Sequence, residues 1–76
     1  MGATDHKVYW RWPGSPLAHL EERSNVFGFV SLRCGMAGRA EESLRGPLLQ
    51  RLGESPGPLK PCGSCERSWK AYIRSA

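Results

Sequence analysis

The chain has 76 residues, 39% of them hydrophobic, and a formal net charge of +4 at pH 7. This length allows one domain, and a core of this size rarely supplies more than about 3–5 kcal/mol of stability. Nine glycines and six prolines add to the entropy that folding must overcome. We therefore expect a metal ion or another cross-link to stabilise the fold. No run approaches the roughly 20 apolar residues of a membrane span.

The first elements follow from alternation and turn residues. Residues 1–6 are expected to be flexible. Lys7–Trp12 is rich in aromatic residues and places Val8, Trp10 and Trp12 on one side and Tyr9 and Arg11 on the other, which predicts a strand. The turn that follows ends at Ser15 and Pro16, which suit the cap and first position of a short helical turn. That turn is expected to carry His19.

The middle of the chain predicts one more strand and a broken helix. Asn25–Arg33 is β-branched and aromatic, and Gly28 within it indicates a bulge or a close backbone approach. We expect this strand to form a small antiparallel sheet with Lys7–Trp12. Leucines spaced four apart favour a helix over Ala40–Leu52, and Pro47 is expected to kink it.

The C-terminal part predicts a loop and a helix. Residues 53–61 are rich in glycine and proline, which indicates a loop. Glu66–Arg74 is predicted to be helical, because Trp69, Tyr72 and Ile73 then share one face. The chain is thus predicted to be a single α+β domain with a short antiparallel sheet and a C-terminal helix.

Three cysteines, Cys34, Cys62 and Cys65, suggest a metal site. An odd number argues against a closed set of disulfides. The Cys-x-x-Cys spacing lets two thiolates reach one ion from a tight turn, and a helix that starts there stabilises their charge. A tetrahedral site needs a fourth ligand. His19 is favoured because it follows a strand in an ordered turn, and His6, beside the flexible terminus, remains the alternative.

The sparse pattern of Trp10-Arg11, Ala18-His19-Leu20, Ser31-Leu32-Arg33-Cys34-Gly35 and Cys62-Gly63-Ser64-Cys65 resembles small zinc-binding proteins of actinobacteria and their phages. The resemblance covers roughly residues 10–70. It implies that His19, Cys34, Cys62 and Cys65 bind zinc in a zinc-ribbon-like or treble-clef-like arrangement. Many such proteins have no assigned function, so the resemblance names no partner.

The first functional hypothesis is a binding or regulatory module that a structural zinc ion stabilises. Its partner can be a protein or a nucleic acid, because the charge balance is basic. A solvated basic surface without a partner is the alternative. The candidate phosphate contacts are Arg11, Arg33, Arg39, Lys60, Arg67, Lys70 and Arg74.

Two other hypotheses differ in class. Cys62 and Cys65 before a helix also suit a thiol–disulfide redox protein, although no strand follows them as in a βαβ unit. A docking or inhibitory protein without metal would use aromatic anchors. Those anchors are Tyr9, Trp10, Trp12, Phe27 and Phe29. We expect no catalysis, because no Ser-His-Asp set or carboxylate pair can be assembled, and we expect a cytoplasmic protein with no membrane association.

Overall fold

The computed structural model describes residues 6–24, 28–40 and 48–75. These residues form six strands followed by one helix, which confirms the α+β class. The elements are β1 Tyr9–Arg11, β2 Leu17–Ser24, β3 Phe29–Leu32, β4 Ala37–Arg39, β5 Gln50–Gly53, β6 Lys60–Pro61 and α1 Gly63–Ser75.

Five of the strands form an antiparallel sheet in the order β4-β3-β2-β1-β5, and β6 joins it by pairing in parallel with β2. The two outer strands approach each other, because the Leu49 N–H before β5 donates to the Arg39 carbonyl at the end of β4 (2.7 Å). The sheet therefore curls round its own apolar face. Gly38 allows this close approach, since a Cβ there would lie 2.9 Å from Leu49 Cδ1.

The core lies inside this curl and under α1. The largest fully buried side chains are Leu20, Leu32, Val30 and Cys65. Burial of an aliphatic side chain of this kind stabilises a fold by about 1.5–3 kcal/mol. The other buried hydrophobic residues are Val8, Tyr9, Trp10, Ala18, Leu49 and Cys62.

The predicted helical turn around His19 is wrong, because Leu17–Ser24 forms β2. Leucine, alanine and glutamate in this segment favour a helix when isolated. In the fold both edges of β2 are paired, and Ala18 and Leu20 are 0% and 1% exposed. Burial between neighbouring strands overrides the local preference.

The strand predictions are right in place and wrong in pairing. Lys7–Trp12 contains β1, and Asn25–Arg33 contains β3, although residues 25–27 lie outside the described part. The two were expected to be neighbours. Instead β2 lies between β1 and β3 and pairs with both. Gly28 has a φ of 81°, which only glycine adopts readily, and it stands just before β3.

The predicted helix over Ala40–Leu52 is wrong at its C-terminal end, where β5 pairs with β1 from Gln50 onward. Ala40, Leu48 and Leu49 are irregular, and the remaining part of that prediction, including Pro47, falls on residues 41–47, outside the described ranges. Leu49 ends up in the core, next to the sheet edge. In this pairing Gln50, Arg51 and Gly53 lie opposite residues of β1, and such strand pairing replaces the hydrogen bonds that a short helix would form within itself.

The C-terminal predictions are largely confirmed. Residues 54–59 are irregular as expected, whereas Gly53 closes β5 and Lys60–Pro61 forms β6. The helix covers all of Glu66–Arg74 and begins three residues earlier, at Gly63. Among the residues that the structure describes, no helix is long and apolar enough to cross a membrane.

Helix α1 is tied to β1 by Glu66, in its first turn. Glu66 accepts a hydrogen bond from the Tyr9 hydroxyl at 2.8 Å and from Lys7 Nζ at 3.3 Å. Burial, and then the hydrogen bond to Glu66, raises the pKa of Tyr9 above its ordinary value of 10.0. Burial lowers the pKa of Lys7, but the hydrogen bond and charge of Glu66 outweigh that effect and raise it. These contacts hold the start of α1 over the sheet.

Candidate metal centre

The centre forms at one edge of β2, where the C-terminal ends of β3 and β6 meet. Strand β6 runs parallel to β2, and the N–H of Cys62, just after it, donates to the Ala18 carbonyl (2.8 Å). Strand β3 runs antiparallel to β2, and the N–H of Arg33, just after it, donates to the Leu20 carbonyl (2.9 Å). Both strands therefore end beside His19.

Cys34 is presented by a tight hairpin between β3 and β4. The Gly35 N–H donates to the Leu32 carbonyl (2.9 Å), and the Leu32 N–H donates to the Met36 carbonyl (2.7 Å). Gly35 has a φ of 95°. These are the features of a three-residue hairpin loop whose last residue is left-handed, a position that suits glycine. The Cys34-Gly35 pair in the sequence therefore marks this turn.

Cys62 and Cys65 are placed by the start of α1. The Cys62 carbonyl accepts the first helical hydrogen bond, from the Glu66 N–H (3.0 Å), so Cys62 caps the helix. Cys65 lies three residues further, and residues three apart share a face of a helix. Both thiols are buried, and the nearby amide groups of the first turn carry partial positive charge. The partial charge of these amide groups favours thiolates, but burial outweighs this effect at Cys65 when no cation is bound.

The structure brings together one ligand atom from each of His19, Cys34, Cys62 and Cys65. The four atoms all lie within 4.8 Å of one another. His19 Nδ1 lies 3.6 Å from Cys34 Sγ and 3.8 Å from Cys65 Sγ. A tetrahedral zinc ion with ordinary bond lengths separates its ligand atoms by roughly 3.6–3.8 Å. The three cysteines are free thiols. The two separations from His19 Nδ1 match this range, and the whole cluster is compact enough to hold a single metal ion.

The charge properties of the cluster also suit a cation. Burial lowers the pKa of His19, which keeps the imidazole neutral, as a metal ligand must be. Burial first, and then the neighbouring thiols Cys34 and Cys62, raise the pKa of Cys65 to about 12. A divalent cation among these thiols reverses that effect, because it compensates the charge of the thiolates. Without a cation, the raised pKa keeps Cys65 protonated, whereas an activated redox thiol has a lowered pKa.

The alternative histidine lies elsewhere. His6 is exposed and does not belong to the cluster. His19 is 5% exposed, and its ring meets the edge of Trp12 at a centroid distance of 5.3 Å and an interplanar angle of 78°. This contact fixes the orientation of the imidazole. Position 19, and not position 6, therefore supplies the nitrogen of the cluster.

One of the seven predicted basic contacts is buried. Arg33 is only 8% exposed, and its guanidinium lies 5.0 Å from the ring centroid of Trp69 and 4.4 Å from that of Tyr72. It packs beneath α1 and so is poorly placed to meet phosphate. Six candidates remain at least partly exposed: Arg11, Arg39, Lys60, Arg67, Lys70 and Arg74.

Sequence reasoning missed the structural role of Arg33. Its backbone N–H contacts β2 next to His19, and its side chain is held by two aromatic rings of α1. Because Cys34 follows it directly, Arg33 connects the three segments that carry the ligands. Nothing in the sequence distinguishes this arginine from the exposed ones. The only hint is its place beside Cys34.

No family model, curated protein or solved structure matches the chain. The resemblance to small zinc-binding proteins of actinobacteria and their phages stays a prediction.

Proposed function

We propose that His19, Cys34, Cys62 and Cys65 bind one zinc ion, and that the protein is a zinc-stabilised binding or regulatory module without catalytic activity. The observation that carries this proposal is the convergence of four ligand atoms within 4.8 Å from three separate segments. One ion would thus join β2, the β3–β4 hairpin and the start of α1.

The donor set supports zinc as the ion. Three thiolates and one imidazole are soft and borderline ligands, which suit Zn²⁺ and disfavour Mg²⁺ and Ca²⁺. Four protein ligands also complete a tetrahedral site and leave no position for water or substrate. This closed set supports a structural ion. A catalytic zinc site keeps one position open and has a general base nearby.

The energetic consequence follows from the small size of the domain. Structural zinc contributes about 10–16 kcal/mol of apparent binding free energy, which becomes folding free energy. Domains typically unfold with about 5–15 kcal/mol in total. Loss of the ion should therefore unfold the chain, and the proposed module would present its surface to a partner only when the ion is bound.

Native mass spectrometry of the freshly purified protein, with and without a strong chelator, tests the proposal. We expect a mass increase of one zinc ion that the chelator removes, together with loss of the helical circular dichroism signal. Substitution by Co²⁺ should give the visible absorption of a tetrahedral thiolate site. A metal-free protein that keeps the folded spectrum would refute the structural role of the ion.

Matched variants identify the ligands. His19→Ala should lose the ion, whereas His6→Ala should keep it, because only His19 lies in the cluster. Cys62→Ser should fail to fold, and Lys70→Ala, which alters an exposed side chain, should fold normally. Zinc bound equally by His19→Ala and the unchanged protein would remove His19 from the ligand set.

The same preparation distinguishes the redox hypothesis from the zinc-module proposal. If the isolated protein contains no metal, holds a disulfide between Cys62 and Cys65, and reduces insulin, the module proposal is wrong. A zinc-loaded protein with three reduced cysteines and no reductase activity supports it.

A further inference from the structure

The outward side of α1 carries a stripe of positive charge made by Arg67, Lys70 and Arg74. All three side chains are exposed. At 3.6 residues per turn, their positions fall within about 60° of arc, and they span roughly 10 Å along the helix axis. We call these three residues the basic stripe.

The opposite side of α1 is the one that packs on the protein. Cys65 is 0% exposed and belongs to the metal cluster, while Trp69 and Tyr72 hold the Arg33 guanidinium. These residues lie roughly half a turn from the basic stripe. The stripe therefore points away from the sheet and from the metal centre.

The negative charge of α1 does not offset the stripe. Glu66 is the acidic residue of the helix, and its two carboxylate oxygens accept hydrogen bonds from Lys7 and Tyr9 of the sheet layer. Solvated helix faces usually mix charges of both signs. Here the charged side chains on the outward side are all positive, which creates a local positive potential.

We propose that the basic stripe binds the phosphate backbone of double-stranded nucleic acid. Arginine presents a planar fork that pairs with phosphate oxygens, and two of the three side chains are arginines. The major groove of DNA, about 12 Å wide, admits a helix side that is not covered by protein. The proposal names the partner of the zinc-stabilised module and rests on that function, because α1 begins at the metal centre.

Other polyanionic partners fit the stripe less well. A helix that lies on a membrane needs large apolar side chains beside its cations. Ile73 is the exposed large hydrophobic residue of α1, and it lies about a quarter turn from the stripe. Protein interfaces centre on aromatic anchors, and single strands stack on aromatic rings. The aromatic residues of α1, Trp69 and Tyr72, face Arg33 instead.

Fluorescence anisotropy of a short labelled DNA duplex, titrated with the zinc-loaded full chain at several salt concentrations, tests the proposal. Two double variants remove the same charge: R67Q with R74Q from the stripe, and R23Q with R51Q from exposed positions on β2 and β5. Each lost phosphate contact lowers the slope of log affinity against log salt by about 0.9. We expect the stripe variant to lose about 1.8 and the control variant to keep the slope of the unchanged protein.

Three results would overturn the proposal: no duplex binding at low salt, equal loss in both double variants, or tighter binding to phosphatidylserine vesicles than to the duplex. A matching duplex RNA in parallel shows which nucleic acid supplies the phosphates. Circular dichroism and zinc content are measured on every sample. A folded chain that binds the duplex through the stripe but contains no zinc would refute the metal proposal alone, and a folded zinc protein that does not bind would refute this one alone.

Discussion

Replacing Arg33 by methionine tests how the fold holds the proposed metal ligands in place. The guanidinium of Arg33 lies within 5.0 Å of two ring centroids, Trp69 and Tyr72, and the residue is 8% exposed. A desolvated cation–π contact contributes about 2 kcal/mol or more. Arg33→Met keeps an unbranched apolar stem but removes the cation. We therefore expect the free energy of unfolding to fall by about 2–4 kcal/mol.

The structure supplies a matched control in Arg39. Its guanidinium lies 4.6 Å from the ring centroid of Phe29, so the contact has the same type and distance. Arg39 and Phe29 are both exposed, which limits their interaction to about 0.5–1 kcal/mol. Arg39→Met should therefore cost clearly less than Arg33→Met.

Denaturant unfolding of the zinc-loaded proteins, followed by circular dichroism, measures both variants. A lower midpoint with an unchanged slope reports a change in stability alone. Because Arg33 connects the ligand-bearing segments, its variant should also release zinc to a chelator faster than the Arg39 variant. Equal losses of stability in the two variants would refute the claim that the buried double-ring contact stabilises the helix over the metal centre.

Three further predictions concern the packing around this centre. Gly38→Ala should cost about 1–3 kcal/mol, because its Cβ would lie 2.9 Å from Leu49 Cδ1 and 3.2 Å from Trp12 Cζ2. Gly63→Ala, whose Cβ would have its nearest neighbour at 3.6 Å, should be neutral or stabilising. Thermal denaturation of both variants checks this prediction. Glu66→Ala should cost about 1–3 kcal/mol, because it leaves the hydroxyl of the buried Tyr9 without its acceptor. Lys7→Ala should cost less than about 1 kcal/mol, because its ion pair with Glu66 is partly exposed. Similar losses of stability in the two variants would contradict the larger role of the hydrogen bond from Tyr9. Because the pKa of Tyr9 is raised, its contribution to stability is complete below about pH 10 and is lost as the pH rises through the folded-state pKa. The free energy of unfolding should therefore fall with pH across that range, and Tyr9→Phe should weaken this dependence on pH.

The cysteines of the candidate metal centre could be predicted from the sequence, because their spacing and neighbouring residues are local signals. Cys-x-x-Cys spacing needs only one turn of backbone to converge, and glycine after Cys34 marks a hairpin whose last residue is left-handed. The C-terminal helix was equally accessible, since its aromatic face, first-turn acid and last-turn base all agree. Local signals that agree with one another make such elements predictable.

The surroundings of His19 could not be obtained in this way. Its segment has helix-forming residues, and it becomes the central strand only because β1, β3 and β6 supply hydrogen-bond partners on its two edges. Residues 50–53 likewise pair with β1 although their leucine spacing suggested a helix. Strand pairing depends on segments far apart in the chain, so no local window contains the information.

The sequence by itself identified the three cysteines of the cluster, with His19 favoured over His6 as their partner, together with the α+β class and the C-terminal helix. Only the tertiary structure decided how these residues converge: β3 and β6 end beside His19 on the same edge of β2, and α1 covers Arg33 while its basic stripe faces outward. The physical reason is the range of the interactions. Spacing, capping and turn preferences act within a few residues, whereas burial and strand pairing depend on neighbours that only the folded chain brings together.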